Sequence, residues 1–407
     1  MFTLIRLAFR NVLRNKGRAV FTTGAIGFGV MMTLLLGSFV VGLGNAMVDD
    51  IVEGKVGALQ VHRKGYDDVR ENQPLDLDFA EVGGAMDKVR KVPGVTAVSP
   101  RLVFSGLAAN GAQSTMIVVT GVVPELEYKA LPRSNEFLLG KRLDSAVPNG
   151  AIFGTELADA LGLKAGSGGG TIQAAAKSGQ QNALDFELRG TLNNGNAFES
   201  KRSVTVPLKW AQNLLGMEGR VTELAVATRN RADIADVADR VRAALGPDYE
   251  VQTWKQLRPN VDDVVNFQRM VLGAICSIFL VIAIIGVINT MLMAVMERTR
   301  EIGTMMAVGM RRGRITELFL WEAVALAVLG TTSGLAISLT IILTIASRGG
   351  VPANAPGSTA VYHIVPAVPL DLLLPTLLAA GLGTILAGVY PSWRAARLNP
   401  VDALRAT

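Results

Sequence analysis

The sequence predicts a membrane α-helical protein of four transmembrane helices, with a large α+β extracytoplasmic domain between the first and the second. Three observations predict it. Apolar residues collect in four blocks. The stretch between the first two blocks mixes helix and strand patterns as a globular sequence does. Basic residues gather at alternate ends of the blocks, as they do at the inner face of a membrane.

Composition alone decides little: half of the 407 residues are hydrophobic, and a soluble domain can reach that. Distribution decides. The uncharged runs cover 19–48, 270–296, 323–347 and 372–393, with 318–321 extending the third past Glu322. A helix needs about 20 apolar residues to cross a hydrocarbon core of ~30 Å. Backbone groups in lipid must bond internally, and runs this long are helices rather than barrel strands. The first run exceeds the roughly 7–15 apolar residues of a cleaved leader, and no A-x-A site follows it. The expected organisation is therefore 1–18, a basic flank; 19–48, first span; 49–268, the large domain; 269–296, second span; 297–316, a short helical connection; 317–347, third span; 348–371, a short outer loop; 372–393, fourth span; and 394–407, a tail.

Charge orients these spans. Arg6, Arg10, Arg14, Lys16 and Arg18 precede the first span without an acid, whereas Asp49, Asp50 and Glu53 follow it. The 297–316 connection carries five arginines against Glu297 and Glu301, the 348–371 loop carries only Arg348, and the tail carries Arg394, Arg397 and Arg405. Both termini are then expected in the cytoplasm and the large domain outside. The same pattern accounts for the net charge of +6 without nucleic acid. Arg6, Arg10, Arg14 and Arg18 recur every four residues, one broad basic stripe on a helix of 3.6 residues per turn. Ile5, Ala8, Phe9 and Val12 oppose it, which suggests a helix lying in the membrane interface; an unstructured basic flank is the plainer alternative.

The one cysteine, Cys276, sits inside an apolar run, and His62 and His363 lie far apart. Neither a disulfide nor a metal site is expected. In the large domain, 102–107 and 116–122 read as strands joined through Asn110-Gly111. Phe79, Val82, Met86 and Val89 have helical spacing, with Pro93-Gly94 as the stop. Further on, 222–228 reads as a strand, 232–245 as a helix and 249–253 as a strand, a β-α-β unit. The glycine run from Gly166 to Gly170 lacks the Gly-Lys-Ser/Thr of a phosphate loop and reads as a surface turn. No G-x-S-x-G or H-E-x-x-H occurs either, so no catalytic residue, cofactor or ATP hydrolysis is expected of this chain. A hydrolase site built without these signatures stays open.

The most informative segment is GVINTMLMAVMERTREIGTMMAVGMRRGR, 286–314. A span ends, a polar turn follows, and then a short apolar stretch is closed by Gly309 and arginines. A short helix with one apolar face and charged ends suits docking into a groove on a soluble partner; a solvated surface helix is the bland alternative. Glu322, beside the third span, is costly in lipid, so it faces protein or the interface.

This segment resembles the coupling-helix signature of permeases of the FtsX/MacB/LolC–LolE superfamily of ABC transporters, the type VII or mechanotransmission systems. The start, LAFRNVLRNKGRAVFTTGAIGFGV, is similar to the family's basic helix and first span. The end, YPSWRAARLNPVDALRAT, is similar to its C-terminal signature. The family's order, one span, a large outer domain, then three spans, is the order read above. The resemblance implies that Glu297, Arg298, Arg300, Glu301, Gly303 and Gly309 dock a separate cytoplasmic ATPase, on which ATP and Mg would act. It implies that Tyr390, Pro391, Arg394, Ala395, Ala396, Pro400 and Leu404 form a motif at the cytoplasmic face. Glu322 falls where the family often has an acid. It also implies a multi-pass protein of the bacterial inner membrane.

Within the large domain, GVVPELE, LLGKRLDSAV, AIFGTELADALGLKAG and VTVPLKWAQNLLGMEGRVTELAV resemble the lipoprotein-releasing branch. The leading expectation is thus lipoprotein extraction by LolC/LolE-like transport. A MacB-like efflux permease working with a periplasmic adaptor and an outer-membrane channel is the second, and an FtsX-like signalling permease acting on a periplasmic partner the third. Gly330 with Gly334 and Gly383 with Ala387 allow close helix approach. With only four spans, a dimer of two copies or two related chains is expected, with lipid around it.

Overall fold

The computed structural model describes residues 10, 16–111, 113–166, 168–354, 358–399 and 403. The basic flank lies outside the described residues apart from 10 and 16–18, and so do Pro400 and Leu404. The chain divides into two compact units. One is 1–44, 265–351 and 363–407; the other is Asn45–Val264 with Pro352–Tyr362.

Among the described residues, four helices are long and apolar enough to cross a membrane. The first runs Lys16–Asp49 and continues as a π-helical segment, Asp50–Lys55. The others are Pro259–Glu297, Arg312–Ser347 and Leu370–Ala396. Each outruns its uncharged block because helical hydrogen bonding continues into water where charges begin. The fourth therefore absorbs Arg394, Ala395 and Ala396, which the sequence reading left in a tail.

Within the spanning unit, glycines set the packing. Gly330 lies against the first helix, where a Cβ added to it would stand 2.6 Å from Ile26 Cβ, and Gly334 lies against the backbone of Gly27. A Cβ on Gly383 would meet Ile284 of the second long helix at 2.9 Å. The two small-residue pairs thus serve packing inside one chain, the first and third helices meeting at Gly330-x-x-x-Gly334. That face is not available to a second copy.

The large unit is built on a ten-stranded sheet in the order β10-β1-β9-β2-β3-β8-β5-β7-β4, with β6 pairing both β2 and β7. The strands are β1 Leu59–Arg63, β2 Val95–Ala109, β3 Ser114–Val122, β4 Leu138–Gly140, β5 Gly150–Gly154, β6 Gly169–Ala175, β7 Gln181–Leu192, β8 Ser203–Pro207, β9 Glu223–Thr228 and β10 Tyr249–Thr253. Because β6 bonds β2 through Leu107↔Gln173 and β7 through Ile172↔Leu184, the strands β2, β3, β8, β5, β7 and β6 close into a small barrel. Closure removes unpaired strand edges. The barrel core holds Phe104, Ile117, Val119, Phe153, Ile172 and Phe186, all nearly inaccessible.

The β9–helix–β10 unit is split. Its helix is Ile234–Leu245, and β1 lies between the two strands, antiparallel to both. The hairpin at Asn110-Gly111 joins longer strands than the sequence suggests, in register Ala109↔Ser114. Two expectations are corrected. Phe79 is not helical: the helix is Val82–Arg90, and Phe79 bridges Val221 instead. Gly169 and Gly170 open β6 rather than extending a turn, because they lie where β6 meets β7 closely.

Gly330→Leu is expected to lower stability by about 1–3 kcal/mol, the usual cost of forcing volume into a packed contact. Gly381→Ala, with nothing within 4 Å of its added Cβ, should be near neutral. Thermal unfolding of both variants in one detergent checks the contrast.

Candidate functional site

The second long helix ends at Glu297, where Arg298 leaves helical geometry (φ −101°, ψ 12°). A short helix follows at once, Thr299–Ala307. Glu301 in its first turn meets the positive end of the helix dipole. Its far end is a Schellman closure: Met310 N–H donates to the Met305 carbonyl and Gly309 N–H to that of Met306, both at 3.0 Å. Gly309 has φ +98°, a left-handed conformation that only glycine adopts without strain. The third long helix begins three residues later, so the connection read as one element over 297–316 is a helix, a glycine turn and the start of a span.

One face of this short helix is buried. Ile302 is 1% exposed and belongs to a buried apolar cluster that includes Val295, Ile315, Phe319, Ala395 and Ala396. Those side chains come from the ends of the second, third and fourth long helices, so the short helix shares one apolar cluster with all three. Beside it, Arg298 Nη1 lies 3.6 Å from Glu322 Oε2, with both side chains largely shielded from water. A carboxylate at that depth is tolerated because a guanidinium neutralises it.

The other face is exposed. Glu297, Arg300, Glu301, Thr304, Ala307 and Val308 all face outward, Val308 at 86%. A shallow depression beside them is lined by Met305, Val308, Gly309, Met310, Arg311 and Arg314. The six residues taken from the signature therefore separate by direction. Glu297, Arg300, Glu301 and Gly309 are on the outer surface, while Arg298 and Gly303 are buried. Arg298 is turned inward, beside Glu322 of the third long helix. In the fourth helix Pro391 is buried, Tyr390 and Arg394 are exposed, and the Arg397 guanidinium lies 4.0 Å from the Trp393 ring centroid.

The large unit holds a second joint that sequence reasoning missed. Strands β11 Val351–Asn354 and β12 Val361–Ile364 pair within what reads as a plain outer loop, and the segment Pro352–Tyr362 groups with the large unit. Thr359 N–H donates to the Gly195 carbonyl at 2.9 Å, and Thr359 Oγ1 donates to Asn193 Oδ1 at 2.8 Å. The Tyr362 hydroxyl donates to Asp50 Oδ2 at 3.2 Å, and Lys55 Nζ stands 3.1 Å from the same oxygen. Burial, with the Asp50 carboxylate beside it, pushes the Tyr362 phenol up to about 12. Further in, Arg101 is wholly buried between Glu127 and Glu223, at 2.5 Å and 3.3 Å. Asp50 gives no sequence signal beyond its charge, and Arg101 none beyond a cation in an apolar strand.

Removing one member of a buried ion pair strands the other. Arg298→Ala is expected to destabilise by about 3–5 kcal/mol, and Arg298→Met with Glu322→Leu by less than the sum of the single changes. Chemical unfolding of the four proteins in detergent gives the cycle.

A family model described as the MacB-like periplasmic core domain matches residues 19–244, and one described as FtsX-like permease C-terminal matches residues 273–400. The macrolide export ATP-binding/permease protein MacB of Neisseria gonorrhoeae is 33% identical over 174 residues, 41% of this chain and 24% of that protein. MacB of Wolinella succinogenes is 25% identical over 433 residues, 99% of this chain and 61% of that protein. The chain thus spans less than two thirds of the length of either relative. The crystal structure of the periplasmic region of MacB from Actinobacillus actinomycetemcomitans covers 50% of this chain and 92% of that one, at 12% identity and a TM-score of 0.35. With more than half of its residues under one of these models, and the second on its last three long helices, the chain belongs to the FtsX-like permeases that carry a MacB-like periplasmic core domain.

Proposed function

We propose that the chain is the membrane subunit of an ATP-driven ABC transporter of the bacterial inner membrane, working as a dimer of permeases with a separate ATPase. One observation carries this reading. The helix Thr299–Ala307 offers an exposed face centred on Ala307 and Val308 and rimmed by Glu297, Arg300 and Glu301, while its buried face is fixed to three spanning helices. A groove on a soluble ATPase would take the apolar centre, and the rim charges would set its register. Motion of the ATPase would then pass through Ile302 and the Arg298–Glu322 pair into the spans. The arginines beside this helix support a cytoplasmic position for it and for both termini, with the large unit outside. The exposed part of the C-terminal motif, Tyr390 and Arg394, belongs to the same end of the spanning unit.

For the cargo, export of an amphiphile through a periplasmic adaptor is favoured, since the relatives that align include macrolide export proteins by name. Lipoprotein release is the second reading, favoured by the resemblance of 121–127, 138–147, 151–166 and 204–226 to that branch. The work in either case is mechanical, and no residue of this chain is given a catalytic role.

Val308→Asp puts a charge at the centre of the docking face without touching the buried side. It is expected to lower co-purification of the ATPase from native membranes at least tenfold, about 1.4 kcal/mol of binding, while the permease itself is recovered at its usual level. Identification of what else co-purifies with the unmodified chain separates the cargoes: an adaptor or outer-membrane channel supports efflux, and acylated proteins support release. If the unmodified chain captures no ATPase even after crosslinking at Arg300, the docking assignment is wrong.

A further inference from the structure

The barrel wall of the large unit has a second face. Alternation along β3 and β8 sends Val119, Val204 and Val206 into the main core. It sends Val118, Thr120, Val122, Ser203 and Thr205 the other way. The helix Pro124–Ala130 and the segments around Lys55 and Phe198 close over this outer face. They leave a cavity of about 380 Å³, within the size range of small-molecule sites.

The cavity has two unlike ends. At one, Val122, Leu143 and Ile152 form a buried apolar cluster, with Leu192 beside it. The other end is held by Phe198 and Arg202. Ser203 stands opposite Val118 in the sheet, and Val118 is four residues from Val122, so the ends lie about 13 Å apart at ~3.3 Å per residue. An apolar track leads in from the surface. Leu107 and Met116 are 43% and 58% exposed, and they line a depression that shares Phe198 and Arg202 with the cavity.

The charges of the lining are paired, with one exception. Arg101 is taken by Glu127 and Glu223, Arg258 by Glu199, and Lys55 by Asp50. Arg202 has no carboxylate within ion-pair distance among the described residues; its guanidinium lies 5.6 Å from the Phe198 ring centroid. Ser134 Oγ also lines the cavity, buried and, among the described residues, without a hydrogen-bond partner.

We propose that this cavity binds a single-chain amphiphile with an acidic head group. The aliphatic tail lies along β3 toward Val122, Leu143 and Ile152, and a carboxylate or phosphate monoester sits on Arg202. The length of the cavity suits one tail of medium length. The exposed cation at its mouth favours an acid, to which it offers charge-assisted bonds that a neutral head group cannot return. The site uses nothing of the docking helix, so it stands or falls apart from the ATPase.

The full-length chain in phosphatidylcholine nanodiscs, photolabelled with a decanoic acid bearing a terminal diazirine and mapped by peptide mass spectrometry, tests this. Label is expected on peptides carrying Val122, Leu143 or Ile152. Excess decanoate or decyl phosphate should compete it away, the stronger competitor identifying the head group, while decanol should not compete. Arg202→Gln is expected to reduce this label about tenfold, the loss of one charge-assisted bond, and Thr205→Trp, which fills the cavity from its wall, to abolish it. Lys164→Gln, on an exposed residue away from the cavity, should leave it unchanged. Label confined to the long apolar helices would overturn the site. Equal competition by decanol would overturn its selectivity for acids.

Discussion

Hydrocarbon offers no partner to a peptide N–H or C=O, and the division of labour in this molecule follows from that. Inside the apolar blocks the backbone must close on itself, so those stretches are helices whatever their side chains do. Variation there is limited to how closely helices approach, which Gly330, Gly334 and Gly383 decide. Polar chemistry is displaced to the ends of the helices and to the large unit, where water or protein can satisfy it. The buried ion pair of Arg298 and Glu322 lies at such an end. So do the exposed face of the short helix and the Asp50–Tyr362 contact.

The two joints solve one problem with different materials. At the short helix, an apolar contact supplies attachment and an ion pair supplies direction. Ile302 is buried in an apolar cluster shared with the ends of three long helices, while Arg298 faces the Glu322 carboxylate. At the large unit, hydrogen bonds dominate: Thr359 reads the backbone of Gly195 and the side chain of Asn193, and Tyr362 reads Asp50. Non-directional burial gives the first joint tolerance, and directional bonds give the second its specificity.

The four spans were legible because an uncharged run has one structural solution in lipid, and the domain class was legible because period-2 and period-3.6 patterns alternate through 95–253. The hairpin at Asn110-Gly111 was legible for a local reason, its turn chemistry. Barrel closure was not. It depends on Leu107 meeting Gln173, and nothing near either residue announces the other. Direction was equally hidden at the short helix Thr299–Ala307. Arg298 and Arg300 look alike as letters in a signature, yet one is buried against Glu322 and the other faces out, because a helix break lies between Glu297 and Thr299. The Gly330-x-x-x-Gly334 pair announced close packing correctly but not its partner, since small residues say how near a neighbour comes and not which neighbour it is.

The segment Pro352–Tyr362 has a consequence for how the chain is made. The contiguous stretch 45–264 is not the whole of the large unit, because its last piece lies beyond two further long helices. On a ribosome adding about 5–20 residues per second, roughly 5–20 s separate the emergence of Val264 from that of Tyr362. Through that interval Asp50, Asn193 and Gly195 wait without the loop that satisfies them, and the large unit is complete only once the third long helix has been made. Assembly of the large unit is thereby timed by assembly of the spans.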